Sequence, residues 1–520
     1  MKNDEDFMNE TEWNMTTPTN GETAFMETDE DEATDEFIES DDDEEPDDDD
    51  DDSAIDWRPV VGTDGFTELM NAACNDATDT AKALIDSGAA VNAKDDYGKT
   101  ALMYTAWENA VDVAKVLIEA GADVNARDID GITALMDAAR ENAVDVAKVL
   151  IVAGADINAK NNYGMTALMY AGLNNAVDMA KLLIEAGAYV NAMDDDGTTA
   201  LMMAAQENGV DMSNVLIEAG AYMNARDEDG WTALMYATQE NSADAATALI
   251  EAGADVNARA KYGMTALMLV VQKNAVDMAK LLIETGADVN AKDKDGMTAL
   301  MWAAIDNATD MSKVLIKAGA DVNAKRNDGT TVLMLAAWNK ASDAAKVFIE
   351  SGVYVNAKDN DGRTALMVAT ECEALDVAAL LKAAGTDMNA RYIDGFTELM
   401  STARNNTADA ARVLIEVGMD VDTRYIDGYT VLMMAVQENT VGIAKILIEA
   451  GADVNTRYEN GKTALIFAAE KNSADMVKVF IEAGADVNVK DDEGKTALMY
   501  ATQKNSADVV KVLEAAGARE

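Results

Sequence analysis

The sequence predicts an all-α solenoid of helix–turn–helix units behind a disordered acidic tail. Three observations predict it. First, Thr-Ala-Leu-Met and close variants recur with Thr at 67, 100, 133 and onward to 496, always 33 residues apart, so (496 − 67)/33 + 1 gives 14 repeats. Fixed self-similarity of that length marks a solenoid. Second, glycine stands two residues before and 21 residues after every one of these threonines, which uses 28 of the 33 glycines. Third, residues 1–56 hold 26 Asp/Glu and one Lys, a composition unlike the rest of the chain.

The tail comes first. Residues 41–52 are acidic everywhere except Pro46. Such a segment buries too little apolar area to offset the entropy of ordering. Phe7, Trp13, Phe25 and Phe37 are scattered among the acids, as in acidic-hydrophobic interaction tails. A plain solubilising tail is the other reading.

One repeat, residues 98–130, then serves for all. Gly98 supplies a turn that needs positive φ. Thr100 caps a first helix whose apolar positions are Ala101, Leu102, Met103 and Ala106. Asn109 ends it, and Asn tolerates the left-handed conformation; Asp76, Lys340 and Glu373 replace it in three repeats. A second helix carries Asp112 in its first turn and buries Val113, Ala114, Val116, Leu117 and Ile118. Gly121 caps it, and Asp123-Val124-Asn125-Ala126 leads into a projecting turn, Arg127-Asp128-Ile129-Asp130. Neither helix buries its apolar face alone; stacking on neighbours does.

The 33-residue period, the paired glycines and Gly-Ala-Asp-Val-Asn-Ala make roughly residues 60–520 resemble the ankyrin repeat family, in a bacterial-like style. The departure is the family's Thr-Pro-Leu-His, here Thr-Ala-Leu-Met, so Met103 and its equivalents stand where a histidine is expected. Packing of a flexible thioether is expected to replace the lost side-chain hydrogen bond.

Composition removes whole classes of function. With 96 acids and 41 bases the net charge is 41 − 96 = −55, there is no histidine, and the cysteines are Cys74 and Cys372 alone. No imidazole base or histidine metal ligand exists, and two cysteines make no zinc site or disulfide framework. A charge of that sign disfavours nucleic-acid backbones and anionic membranes. The turn Asp194-Asp195-Asp196-Gly197 looks like a calcium loop, but the first ligand position falls on Ala192 and the twelfth on Met203. Carboxylates are abundant but expected on exposed turns, with no burial to raise a pKa. No cofactor or metal is expected, and no enzyme. Nor does the N-terminus read as a signal peptide. A cytoplasmic monomer is expected, with unconventional export open.

The resemblance implies binding of a protein partner on a concave face built from projecting turns and first helices. Comparing repeats shows which positions vary. Seven residues after the threonines come Trp107, Arg140 and Trp338, and just before one stands Trp231. Four after are Tyr104, Tyr170, Tyr236, Trp302 and Tyr500. Trp, Tyr and Arg dominate binding hot spots, each costing about 2 kcal/mol or more on truncation. These residues bind a partner, or those at the fourth position merely fill core. Arg391-Tyr392, Arg424-Tyr425 and Arg457-Tyr458 form a basic and aromatic ladder. It either neutralises nearby Asp or holds an acidic peptide such as the tail. A second function is open: the tail as an electrostatic lure or chaperone-like binder of basic proteins, with the array as spacer.

A seam is also expected inside the array. The last repeat ends Leu513-Glu514-Ala515-Ala516-Gly517, with Glu514 in the place of a buried Ile, as an end cap needs. Repeat 10 does likewise with Lys382, and repeat 11 then opens Gly395-Phe396-Thr397-Glu398-Leu399-Met400, as only repeat 1 does at Gly65-Phe66-Thr67-Glu68-Leu69-Met70. The organisation expected is an acidic tail at 1–56, repeats 1–10 at 57–391 and repeats 11–14 at 392–520, with a hinge at 385–397.

Overall fold

The computed structural model describes residues 65–392, 395–416, 418–425 and 428–519. The acidic tail lies outside the described residues. Within them, 28 α-helices run from α1 (Glu68–Cys74) to α28 (Ala507–Ala515), two per repeat, odd-numbered helices first and even-numbered second. Strand-like pairing among the described residues is limited to isolated bridges such as Lys325 to Thr331 at the base of a turn.

Twelve of the 14 first helices start on a threonine whose hydroxyl accepts the backbone N–H three residues on; the expected cap is missing at Thr100 and at Thr397, whose hydroxyls make no such bond. Thr67 is extended at φ −90°, and its Oγ1 accepts the backbone N–H of Met70 at 3.2 Å. The methionine answers: Met70 Sδ accepts the backbone N–H of Thr67 at 3.4 Å, and Met169 and Met367 do the same at 3.3 Å. The expected loss of a polar contact is therefore partial. The thioether is a weak acceptor, but it completes a reciprocal cap. The turn after the first helix is left-handed throughout, at φ 49° for Asn109 and also at 55° for Lys340 and 54° for Glu373. Asn109 repays its place, because its Oδ1 accepts Val146 N–H at 3.0 Å in the next repeat.

Neighbouring repeats are stitched at two further points. Asn92 donates to Gly121 O at 3.1 Å and accepts from Asp123 N at 2.7 Å, a pattern repeated by Asn125 and Asn158. The turn cations form a chain of their own: Lys94 donates to Arg127 O at 2.6 Å and Arg127 to Lys160 O at 2.7 Å. The second helices present exposed pairs such as Lys115–Asp112 at 3.0 Å and Lys280–Asp277 at 2.8 Å, which add little because water solvates and salt screens both partners.

The Ile column of the second helices is less buried than the sequence suggests. Ile118 is half-buried at the helix edge, and Lys382, its counterpart in repeat 10, is exposed and donates to Glu416 O at 3.2 Å. The interior belongs instead to the residue before it: Leu117, Leu150 and Leu381 are fully enclosed.

Val60–Glu520 forms one compact unit, yet its buried apolar side chains fall into two clusters. One runs from Leu69 to Leu381, the other from Leu399 to Leu513. Half-buried Met388 packs against both. The helices change neighbours at the same place. α17 (Val332–Trp338) packs on α19 (Ala365–Glu371), and α21 (Glu398–Asn405) packs on α23 (Val431–Gln437). Between repeats 10 and 11 the close packing is instead diagonal, from α19 to α22 (Ala408–Glu416). The stitch stretches there too, to 3.3 Å from Asp420 N to Asn389 Oδ1.

Candidate binding face

The varied positions on the first helices and turns form a surface whose polar ends are anchored from below. Tyr104 is buried, and its hydroxyl donates to Asp95 Oδ2 in the turn nine residues earlier. Tyr236 does so to Asp227 at 2.7 Å and Tyr500 to Asp491 at 2.7 Å, while Tyr170 accepts from Asn161 at 3.0 Å. The other carboxylate oxygen holds the turn itself: Asp227 Oδ1 accepts Trp231 N–H at 2.7 Å. One aspartate thus locks both turn and aromatic ring. Trp302 belongs to the same column, half-buried, with an indole N–H that has no partner.

On this shelf rest two of the tryptophans, Trp107 and Trp231. Trp107 meets Tyr104 edge-on at 5.3 Å, and Tyr104 meets Phe66 at 5.2 Å. Trp231 leans on Tyr236 at 5.4 Å. Both tryptophans are half-buried, whereas Trp338 is 44% exposed. Burial and the neighbouring carboxylate push the phenols of Tyr104 and Tyr236 far above their usual range, so they remain hydroxyl donors.

Arg140 is not a free hot-spot cation. It donates to Asp137 at 2.7 Å and Glu141 at 3.1 Å, and Lys99 reaches the same buried Asp137 at 3.0 Å. Sequence reasoning missed Asp137 and Asp128. The signal of Asp137 was present, because it is the one charged member of a column that is otherwise apolar or aromatic except for Asn71 and Ser401.

In the basic and aromatic ladder of repeats 10–13, Arg391 and Arg457 are likewise occupied from within, whereas Arg424 is exposed. Arg391 donates to Gly395 O and Arg424 O, each at 2.7 Å, and Arg457 donates to Lys490 O at 2.8 Å. Arg424 contributes that carbonyl and bridges to Thr430. Tyr425 lies on Phe396 at 4.8 Å, and Tyr458 meets Tyr429 at 5.4 Å. The Tyr392 hydroxyl donates to Glu371 at 2.8 Å and also lies within hydrogen-bonding reach of Glu398, with a single proton between the two carboxyl groups.

The expectation of carboxylates too exposed for a raised pKa is wrong. Burial raises Asp128, Asp194 and Asp293, and it raises Glu398 to about 8. Burial also pushes the Cys74 thiol up to about 12 and the Cys372 thiol in the same direction, which leaves both poor nucleophiles.

Stacked two-helix units with a turn-and-helix face define a repeat scaffold, a class that presents a broad surface in place of a catalytic cleft. The family model described as "Ankyrin repeats (3 copies)" matches residues 24–128, 126–194, 187–260, 257–326, 319–392, 377–458 and 455–519. The chain belongs to the ankyrin repeat family, whose repeats are in general protein–protein interaction modules and typically non-enzymatic. No curated protein matches it. Among the described residues, no helix is long and apolar enough to cross a membrane.

Proposed function

We propose that the chain is a non-enzymatic, cytoplasmic, monomeric scaffold that holds a protein partner on its concave face. Trp107, Trp231 and Trp338 are the anchors, with Trp302 and the tyrosine shelf beneath them. One observation carries this reading: Trp338 stays 44% exposed on a helix whose other apolar side chains are buried. Large rings already held in place lose little entropy on binding. Residues 57–520 carry 70 acids and 40 bases, a net of 40 − 70 = −30, which favours a basic partner.

A second reading rests on the tail, whose net charge is 1 − 26 = −25 over residues 1–56. There the tail captures basic proteins and the array spaces it. Salt separates the two. Binding through desolvated rings survives 0.5 M salt, whereas binding to the tail collapses as screening falls below about 8 Å. Capture on full-length protein, on residues 57–520 and on Trp107→Ala/Trp338→Ala decides. Equal capture by residues 57–520 removes the tail reading, and equal capture by the double variant removes the groove reading.

A further inference from the structure

Glu398 and Glu68 open their helices in the same Phe-Thr-Glu-Leu-Met run. Glu68 stands at the first repeat of the array and is exposed. Glu398 has repeat 10 lying over it and is 2% exposed. A residue suited to an open end is therefore enclosed between two repeats. An enclosed carboxylate is costly unless its charge is paired.

Among the described residues, the groups that face it do not supply that pair. From the turn comes the Tyr392 hydroxyl; from α19 comes Glu371, which accepts the same hydroxyl. Arg404, on the same helix as Glu398, is exposed and lies over the Phe396 ring at 5.9 Å. Arg391 is committed to backbone carbonyls, and Arg363 to Asp359 at 2.8 Å. α23 carries no titratable side chain, and Asp409, Arg412 and Glu416 of α22 are exposed. Beside the cluster opens a cleft of about 180 Å³ lined by Glu371, Tyr392, Phe396 and Arg404 among others. The cluster sits where the two apolar cores part and the helix packing turns diagonal.

We infer that repeats 10 and 11 form a proton-gated joint, in which neutral Glu398 lets the two sub-arrays stack through Tyr392 and Glu371, and its ionisation opens the stack at that place alone. This deepens the two-sub-array organisation and needs no partner. Burial first, and the Glu371 charge second, raise the acid to about 8 against the opposing Tyr392 bond. The sign follows. An acid raised in the closed form binds its proton there while the open form has lost it. Stacking is strongest below the ordinary carboxylate range, weakens as pH climbs to about 8, and is level above.

The test is amide hydrogen exchange on the full chain, corrected for intrinsic rates, at pH 6 and pH 8. Residues 399–403 should exchange about tenfold or more faster at pH 8, while α9 (Ala200–Gln206) serves as internal control and does not change. Glu398→Gln should abolish the difference. Glu371→Gln, at an exposed position, should move its midpoint to lower pH. A seam response equal to that of α9, a Glu398→Gln chain that keeps the response, or an unmoved midpoint in Glu371→Gln would each overturn the joint.

Discussion

Repeats 1–10 and repeats 11–14 are built from one 33-residue pattern but use their inner faces differently. In the first set the large rings rest on turn carboxylates, as Tyr104 does on Asp95 and Tyr236 on Asp227. In the second set most pack on one another: Phe396 with Tyr425, and Tyr429 with Tyr458 and Phe467. Rings that fill each other's space are less available to a partner than rings propped from beneath. The same repeat thus props its rings from beneath in one region and packs them against one another in the other.

The comparison can be broken at several strengths. The largest effect should come from the cores. Leu117→Ala and Leu447→Ala each remove a fully enclosed side chain and should cost about 2–5 kcal/mol. If the cores are separable, calorimetry resolves two transitions, and each variant lowers only its own. A single transition displaced by both would join the regions. Next, Tyr236→Phe strips Asp227 of a donor and should cost about 1–3 kcal/mol, measured by chemical unfolding. Smaller again is the stitch. Asn125→Ala loses a bond of 2.7 Å and should cost about 1 kcal/mol, while Asn389→Ala, at 3.3 Å across the seam, should cost clearly less. Smallest is Trp338→Ala. It should leave the melting temperature nearly unmoved, within about 0.5 kcal/mol, while abolishing capture of a partner that uses this face.

Much of the fold was legible because its causes are local. Threonine caps, glycine turns and the helical spacing of Leu102 and Leu117 act within a few residues, so a 33-residue count exposes them. The left-handed turn was legible even through its exceptions, for Lys340 and Glu373 adopt it without the Asn side chain that bonds the next repeat. The site was only half legible. Trp338 stands out by type and position. That Tyr104 is held by Asp95, or that Arg140 is spent on Asp137, depends on how turns fold back over helices. The seam shows the limit most clearly. Lys382 drew attention and proved exposed, while Glu398, an ordinary first-turn acid, is the buried member.

By itself, the sequence determined the period, the two helices of each repeat, their caps and the sign of the charge, since each follows from neighbours along the chain. Tertiary structure alone decided which carboxylates are enclosed, which cations are already bound to carbonyls and where one core ends and another begins. Burial is set by the repeat stacked above, and two identical pentapeptides at residues 66–70 and 396–400 meet different neighbours.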